Sequence, residues 1–146
     1  MQDKSRLGGQ LSLLGMQIAG QNYLVEMVDI SEVLSMPPLA PVPLTRPWLR
    51  GIANVRGNLY CVADMATFMH QGTASGAITN RLLLVAERYA FNAALLVEKV
   101  FGLRDTSNWQ HDEKQTNQYI DEQGVAWRKL DVVGLLAQPE FLQIGI

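Results

Sequence analysis

The sequence predicts a mainly β fold of the barrel or sandwich type, and three observations predict it. Its apolar runs are short, and none sustains the long 3.6-residue period of a helix bundle. Turn signals of Gly, Asn and Pro separate those runs at close spacing. Five prolines (Pro37, Pro38, Pro41, Pro43 and Pro47) crowd one stretch, and neither a helix nor a central strand accepts them.

The elements follow in order. Leu14–Ile18 and Asn22–Met27 read as strands joined by a hairpin turn at Gly20-Gln21. Ile30–Leu34 opens with apolar–polar alternation, the period of a half-buried strand. The proline stretch is an ordered, extended loop. Ile52–Arg56 and Leu59–Ala63 flank Gly57-Asn58 and read as a second hairpin. The second of these runs is nearly all apolar, as in a strand covered on both faces. Asp64 fits the N-cap of a short helix from Met65 to Met69. Gln71–Gly76 is a small-residue polar loop. Leu82–Ala86 and Phe91–Val97 read as an antiparallel pair, and Val100–Leu103 continues their sheet, with Gly102 marking a bulge or a close backbone approach. Asp105 to Gln118 has few apolar anchors and reads as surface loop. Tyr119-Ile120 and Val125–Trp127 make a last hairpin around Asp121–Gly124. Leu130–Leu136 closes the chain as a short helix with Asp131 near its start. Strands ending in an acidic residue before a helical segment occur twice, at Asp64 and at Asp131, a weak echo of two similar halves.

Composition bounds the function. At 146 residues the chain is one domain that needs no metal or disulfide staple. Residues 1–13 read as an N-terminal extension, too broken by Gly and Gln for a signal peptide. Apolar residues make up 48% and charged residues 18%, which excludes a disordered chain. Twelve basic against fourteen acidic residues give a net charge of −2, so there is no basic excess for a phosphate-binding face and nucleic acid is a poor candidate partner. No run approaches a membrane span, and the lone Cys61 cannot close an internal disulfide; both fit a cytoplasmic chain.

Catalytic patterns are missing. His70 and His111 lie far apart, without a ligand pair at metal spacing, and read as surface residues. Cys61 sits inside an apolar strand, a poor setting for a reactive thiolate. Gly15–Gly20 has the glycine spacing of a P-loop, but Gln21-Asn22 stands where Lys-Ser/Thr would hold phosphate. Neither GxSxG nor GxGxxG occurs.

The informative segment is Pro47–Asp64, with Arg50-Gly51 and Arg56-Gly57 at either end of a short apolar element. Glycine allows a backbone approach that a Cβ would block, and the arginine beside it can present its guanidinium fork. Arg56 either ties its hairpin to a carboxylate such as Glu32 or Asp64, or reaches a partner protein.

This segment resembles the CheW-like adaptors, which couple receptors to histidine kinases in bacterial chemotaxis. The family pattern, roughly vrGvinlRGevvpvvDL, runs in register with LRGIANVRGNLYCVADM and matches at Asn54, Arg56, Gly57 and Asp64. Asn22–Val25 and Ile30–Val33 resemble the family's eyalpi and vqEI segments. Leu95–Val100 resembles gllVDeV, and Gln123–Leu136 the closing segment. The likeness covers roughly residues 14 to 137. Cys61 replaces the usual proline, and Glu98 the usual aspartate. The phrases WLRGIANVRG and EKVFGL are similar to the PilI-like branch, which serves type IV pilus twitching motility.

The resemblance implies two small five-stranded SH3-like β-barrel subdomains around a shared hydrophobic core, with short helices and a groove between the barrels. It implies no catalysis, cofactor or metal. One surface would bind the CheW-like regulatory domain of a CheA-like kinase, and another the tip of a methyl-accepting chemoreceptor, so the chain would be recruited to membrane receptor arrays. Motif matching puts Ile30, Glu32, Arg50, Gly51, Arg56 and Val97 on the receptor side, with Asn54, Gly57 and Asp64 as structural positions. Apolar barrel ends also suit self-association. Two alternatives remain: a regulator that sequesters the kinase, and a small β-barrel enzyme holding Asp64, Glu32 and a histidine in one pocket.

Overall fold

A computed structural model describes residues 13–43, 46–72, 76–89, 92–112 and 117–142. Apart from Leu13, the expected N-terminal extension lies outside the described residues. So do 73–75 of the small-residue loop, Phe91 of the expected strand, and 113–116 of the polar stretch.

Among the described residues twelve strands form two six-stranded sheets. The first sheet runs Gln110–Asp112, Gln118–Ile120, Ala126–Lys129, Gln21–Glu26, Leu13–Ile18 and Lys99–Arg104, and the second Ile30–Ser35, Arg81–Val85, Ala93–Val97, Asn58–Asp64, Leu49–Val55 and Leu39–Ala40. β1 (Leu13–Ile18) and β2 (Gln21–Glu26) make the expected hairpin. Its turn is Ala19 (φ 53°) and Gly20 (φ 79°), one position earlier than the Gly20-Gln21 pair suggested, and both are left-handed, the geometry that matches strand twist. The chain then crosses to the second sheet through a 3₁₀ turn at Met27–Asp29 and enters β3 (Ile30–Ser35). β4 (Leu39–Ala40) is a two-residue edge strand inside the proline stretch, where a missing amide donor is tolerated. β5 (Leu49–Val55) and β6 (Asn58–Asp64) form the second hairpin, and α1 (Met65–Phe68) follows. β7 (Arg81–Val85) and β8 (Ala93–Val97) pair antiparallel, joined across a 3₁₀ turn at Glu87–Tyr89.

β9 (Lys99–Arg104) departs from expectation. It leaves the β7–β8 sheet and pairs with β1 in the first sheet. The switch occurs at Glu98, whose amide donates to Gln17 O at 2.9 Å. Opposite Gly15 the β1–β9 register slips beside Gly102 (φ 101°), the bulge that this glycine signalled. The polar stretch also carries more structure than its composition suggests. β10 (Gln110–Asp112) pairs with β11 (Gln118–Ile120), which pairs with β12 (Ala126–Lys129). Trp109 and Tyr119 anchor these strands, and two aromatics are enough where no apolar run exists. α2 (Val132–Ala137) and α3 (Pro139–Leu142) end the described chain; α3 has no counterpart in the sequence reading.

The shared core is real, and it lies between the sheets. Met16, Ile18, Tyr23 and Val25 of the first sheet meet Leu83, Val85, Leu95 and Val97 of the second. Trp48 stacks on Phe141 there, with ring centroids 5.0 Å apart. Each sheet also has its own small core on its other face. Val62, Leu82, Leu84, Ala94 and Leu96 line the second sheet's cluster, and Leu13, Leu24 and Trp127 the first's. Alternate residues of β7 and β8 thus enter two different cores, which is why both strands read as unbroken apolar runs.

Neither sheet closes into a hydrogen-bonded barrel, and each has six strands where five were expected. The second sheet nevertheless curls. Arg56, in the β5–β6 turn, binds Glu32 on the opposite edge strand β3. Three to four strand spacings of about 4.8 Å separate those elements in a flat sheet, beyond the reach of the two side chains. The start of β6 escapes the double cover that its composition suggests, because the hairpin projects past both cores and leaves Leu59 exposed.

Asp121 organises the last hairpin. Its carboxylate accepts from the Trp127 indole at 3.0 Å and from the amides of Gln123 and Val125. The indole bond is the main reason that its pKa falls below the ordinary 3.8, and the two amides add to the shift. A depressed carboxylate contributes stability that is complete above the unfolded value and disappears as pH falls through the folded one. Acid titration should therefore loosen Trp127 below about pH 4, seen as lost near-UV circular dichroism. Asp121→Asn should weaken the hairpin at neutral pH and remove its share of the acid transition.

Candidate functional site

The β5–β6 hairpin and the strands beside it bring most of the expected residues together. Val55 pairs with Asn58, so the turn is the two residues Arg56 and Gly57, one position earlier than the Gly57-Asn58 pair suggested. Arg56 (φ 52°) and Gly57 (φ 90°) are both left-handed. For arginine that conformation costs about 1–2 kcal/mol. Asn54 offsets part of it, since its Oδ1 accepts from Gly57 N at 2.9 Å and holds the turn closed. Asn54 and Gly57 thus earn their place structurally, and the strained residue is the arginine.

The guanidinium of Arg56 forks onto both oxygens of Glu32, with one arm at 3.2 Å. The hydrogen bond to Glu32 is the main cause that raises Arg56 above the usual arginine pKa. Both side chains stand in solvent, with Arg56 the more open. Of the two carboxylates considered for Arg56, the fold selects Glu32.

Asp64 belongs to the other arginine. It is 1% exposed and caps α1, with Oδ1 accepting from Ala66 N at 3.1 Å and Thr67 N at 3.4 Å. Its Oδ2 accepts from Arg50 Nη1 at 2.7 Å. Arg50 is the extra residue of a bulge between Leu49 and Gly51, which directs it towards the end of β6. Gly51 (φ 149°) completes the bulge. A Cβ there would lie 2.6 Å from Ala40 O, so the β4–β5 pairing requires glycine.

Ile30 and Val97 lie elsewhere. Both are buried in the shared core, Val97 at 1% exposure. They shape the surface from beneath and do not form part of it. Glu32 and Asp64 are engaged separately by two arginines, so they are not gathered as a catalytic pair. Both histidines are exposed, and His111 stacks on Tyr119 at 4.4 Å. Among the described residues no group of three His, Cys, Asp or Glu is placed to hold a metal ion. Cys61 is half-buried, and that burial raises its thiol pKa.

The sequence reading missed one polar cluster. Asp29, nearly buried in the 3₁₀ turn between the sheets, accepts from Arg88 and from the Tyr89 hydroxyl; Arg88 also donates to Val28 O at 2.9 Å. The Asp29 bond is the main cause that raises the Tyr89 pKa. The cluster fastens the β2–β3 crossing to the β7–β8 connection. At the second crossing Glu98 accepts from Gly20 N at 2.9 Å, a bond back to the first sheet. Nearly sixty residues separate Asp29 from its partners, so no local motif announces them.

The comparisons with known proteins agree with this architecture. The CheW-like domain model matches residues 12–140. The protein PilI of Pseudomonas aeruginosa is 33% identical over 92 residues, which cover 62% of this chain and 51% of PilI. The match thus spans about half the length of that relative. The crystal structure of the scaffolding protein TtCheW from Thermoanaerobacter tengcongensis superposes with a TM-score of 0.73 at 17% identity, covering 90% of this chain and 97% of that one. At that identity the likeness speaks for the fold.

The Asp64 site separates cap from charge. Asp64→Ala should lose both the cap and the partner of Arg50, lowering stability by about 2–3 kcal/mol in urea unfolding. Asp64→Asn keeps an acceptor for the amides and should lose about 1–2 kcal/mol. Equal losses would mean that the cap contributes nothing.

Proposed function

The chain belongs to the CheW-like domain family, and on that premise we propose that it is a non-enzymatic adaptor coupling a methyl-accepting chemoreceptor to a CheA-like histidine kinase. The similarity to PilI supports a chemotaxis-type pathway that controls type IV pilus twitching motility. No helix among the described residues is long and apolar enough to cross a membrane, so recruitment to a receptor array would run through protein contacts.

The observation that carries the reading is the Arg56 turn. A charged residue is held in a strained conformation at the open seam of a curled sheet, with its guanidinium in solvent. Strain of this kind persists where the surroundings over-determine it, and it concentrates at functional sites. An exposed ion pair contributes little to folding, about 0–1 kcal/mol, so stability is a weak reason to keep it. A guanidinium fork that can exchange Glu32 for a partner's carboxylate, or share it, gives orientation to a docked protein. The buried Ile30 and Val97 act here as positioning residues beneath that surface. An adaptor of this kind contributes a coupling free energy between two partners, with no chemical step of its own.

Two variants test the reading against purified receptor fragment. Arg56→Glu should leave the thermal midpoint nearly unchanged and weaken receptor binding about tenfold or more. The double variant Glu32→Arg/Arg56→Glu restores the clasp with its charges exchanged. It should fold as well as the parent and still bind poorly. Full binding by the double variant would show that the ion pair across the seam matters and the position of the guanidinium does not. Loss of receptor binding alone, with kinase binding intact in the parent chain, would favour kinase sequestration.

A further inference from the structure

Each sheet has two open edges, and an unpaired edge strand is a template for pairing with another chain. Three of the four edges are blunted as described. β4 and β10 run two and three residues, and β3 carries Glu32 in the grip of Arg56. β9 is the long edge that remains. It has six residues and pairs, among the described strands, with β1 alone. Val100, Phe101 and Leu103 are strong strand formers, and Leu103 is 58% exposed.

The hairpin geometry shows which backbone groups this edge leaves open. The two-residue turn makes Ile18 and Gln21 a hydrogen-bonded pair. By alternation Met16 and Leu14 then turn to β2, while Leu13 and Gly15 turn to β9. Leu13 meets Arg104 and Gly15 meets Gly102, so the backbone of Leu103 between them points outward. Its carbonyl is already taken. Arg104 reaches back over the edge, with Nη1 donating to Leu103 O at 3.2 Å and to Phe101 O at 3.3 Å. The arginine is held in that pose. Its stem passes Gly15, where a Cβ would lie 3.3 Å from Arg104 Cγ. Its guanidinium carbon lies 5.8 Å from the Phe101 ring centre and 5.9 Å from that of Trp127.

We propose that Arg104 is a guard on the β9 edge, which keeps that strand from pairing with β9 of a second copy of this chain. The guanidinium occupies the carbonyls that a neighbouring strand's amides would need. Its charge works the same way. An antiparallel match of two copies brings the basic ends of β9, Lys99 and Arg104, towards each other, and like charges across a strand pair are unfavourable. The Gly102 bulge interrupts the edge between them. This goes beyond the adaptor reading and does not rest on it.

The test needs this chain alone, followed by sedimentation velocity over a concentration series and by amide hydrogen exchange. The parent should stay monomeric, with the Leu103 amide exchanging fast. Arg104→Met keeps a stem against the two rings and removes the donors. It should stay folded, sediment faster as concentration rises, and slow exchange of the Leu103 amide about tenfold or more. Arg104→Thr, too short to reach either carbonyl and without the apolar tip, should associate in the same way. Arg104→Lys keeps a cation with its donors and should remain monomeric. So should Arg128→Met, which makes the same change on the inner strand β12. Methionine and threonine variants that stay monomeric would overturn the proposal. So would association that leaves the Leu103 amide fast, equal association by Arg128→Met, or a parent already paired through β9.

Discussion

The strand Ala93–Val97 sends alternate side chains into two cores, Ala93, Leu95 and Val97 to one and Ala94 and Leu96 to the other. A sheet buried on both faces has no solvent side on which to place polar residues. It must meet its neighbour on one face and curl around its own contents on the other. The curl brings the β5–β6 turn of the second sheet towards its edge strand β3 without joining their backbones. What remains is a seam, and the Arg56–Glu32 clasp spans it. The first sheet meets the same demand with aromatics. Trp127 of β12 packs edge-on to Phe101 of β9, with centroids 5.8 Å apart across the strands between them. An exposed ion pair spans the opening of one half, and a pair of rings that of the other.

This architecture makes the relation between the halves a matter of two short crossings. The chain passes from the first sheet to the second at Met27–Asp29 and returns at Glu98. A carboxylate ties each crossing to neighbouring structure, Asp29 through Arg88 and Tyr89, and Glu98 through the Gly20 amide. The shared core packs the two sheets face to face, and the carboxylates fasten the crossings between them. Fixed geometry is the property that an adaptor requires, because coupling between two bound partners is lost if the body between them flexes freely.

The fold was legible in the sequence wherever local pattern decided it. Both hairpins, each with its turn one position earlier than the Gly20-Gln21 and Gly57-Asn58 pairs suggested, the caps Asp64 and Asp131 and the irregularity at Gly102 all announce themselves through residues whose conformational demands are local. Asp131 takes the Gly134 amide at 3.1 Å, and with Asp64 it bears out the echo of an acidic cap in each half. Sheet membership was not legible. β9 reads as a continuation of β8 because nothing in Val100–Leu103 says which sheet receives it; a bond from Glu98 to Gln17, eighty-odd residues away, decides that. The β11–β12 hairpin was legible at Tyr119-Ile120 and Val125–Trp127, but β10 was hidden by polarity, since a strand on an open sheet edge needs few apolar residues. At the site, motif matching found Arg50, Arg56, Glu32 and Asp64 but could not pair them. It also grouped Ile30 and Val97 with surface residues, because a matched pattern carries no information about which way a side chain points. The Asp29 cluster carries no motif and emerges only from packing.

Reconstitution of three components tests the central claim most directly. Membranes bearing the receptor, the purified kinase and this chain are mixed and sedimented, with the kinase followed in the pellet. The account predicts that the kinase reaches the pellet in proportion to added chain, and stays in solution when the chain is omitted or carries Arg56→Glu. A kinase that binds the chain in solution, yet never sediments with receptor membranes in its presence, would contradict it.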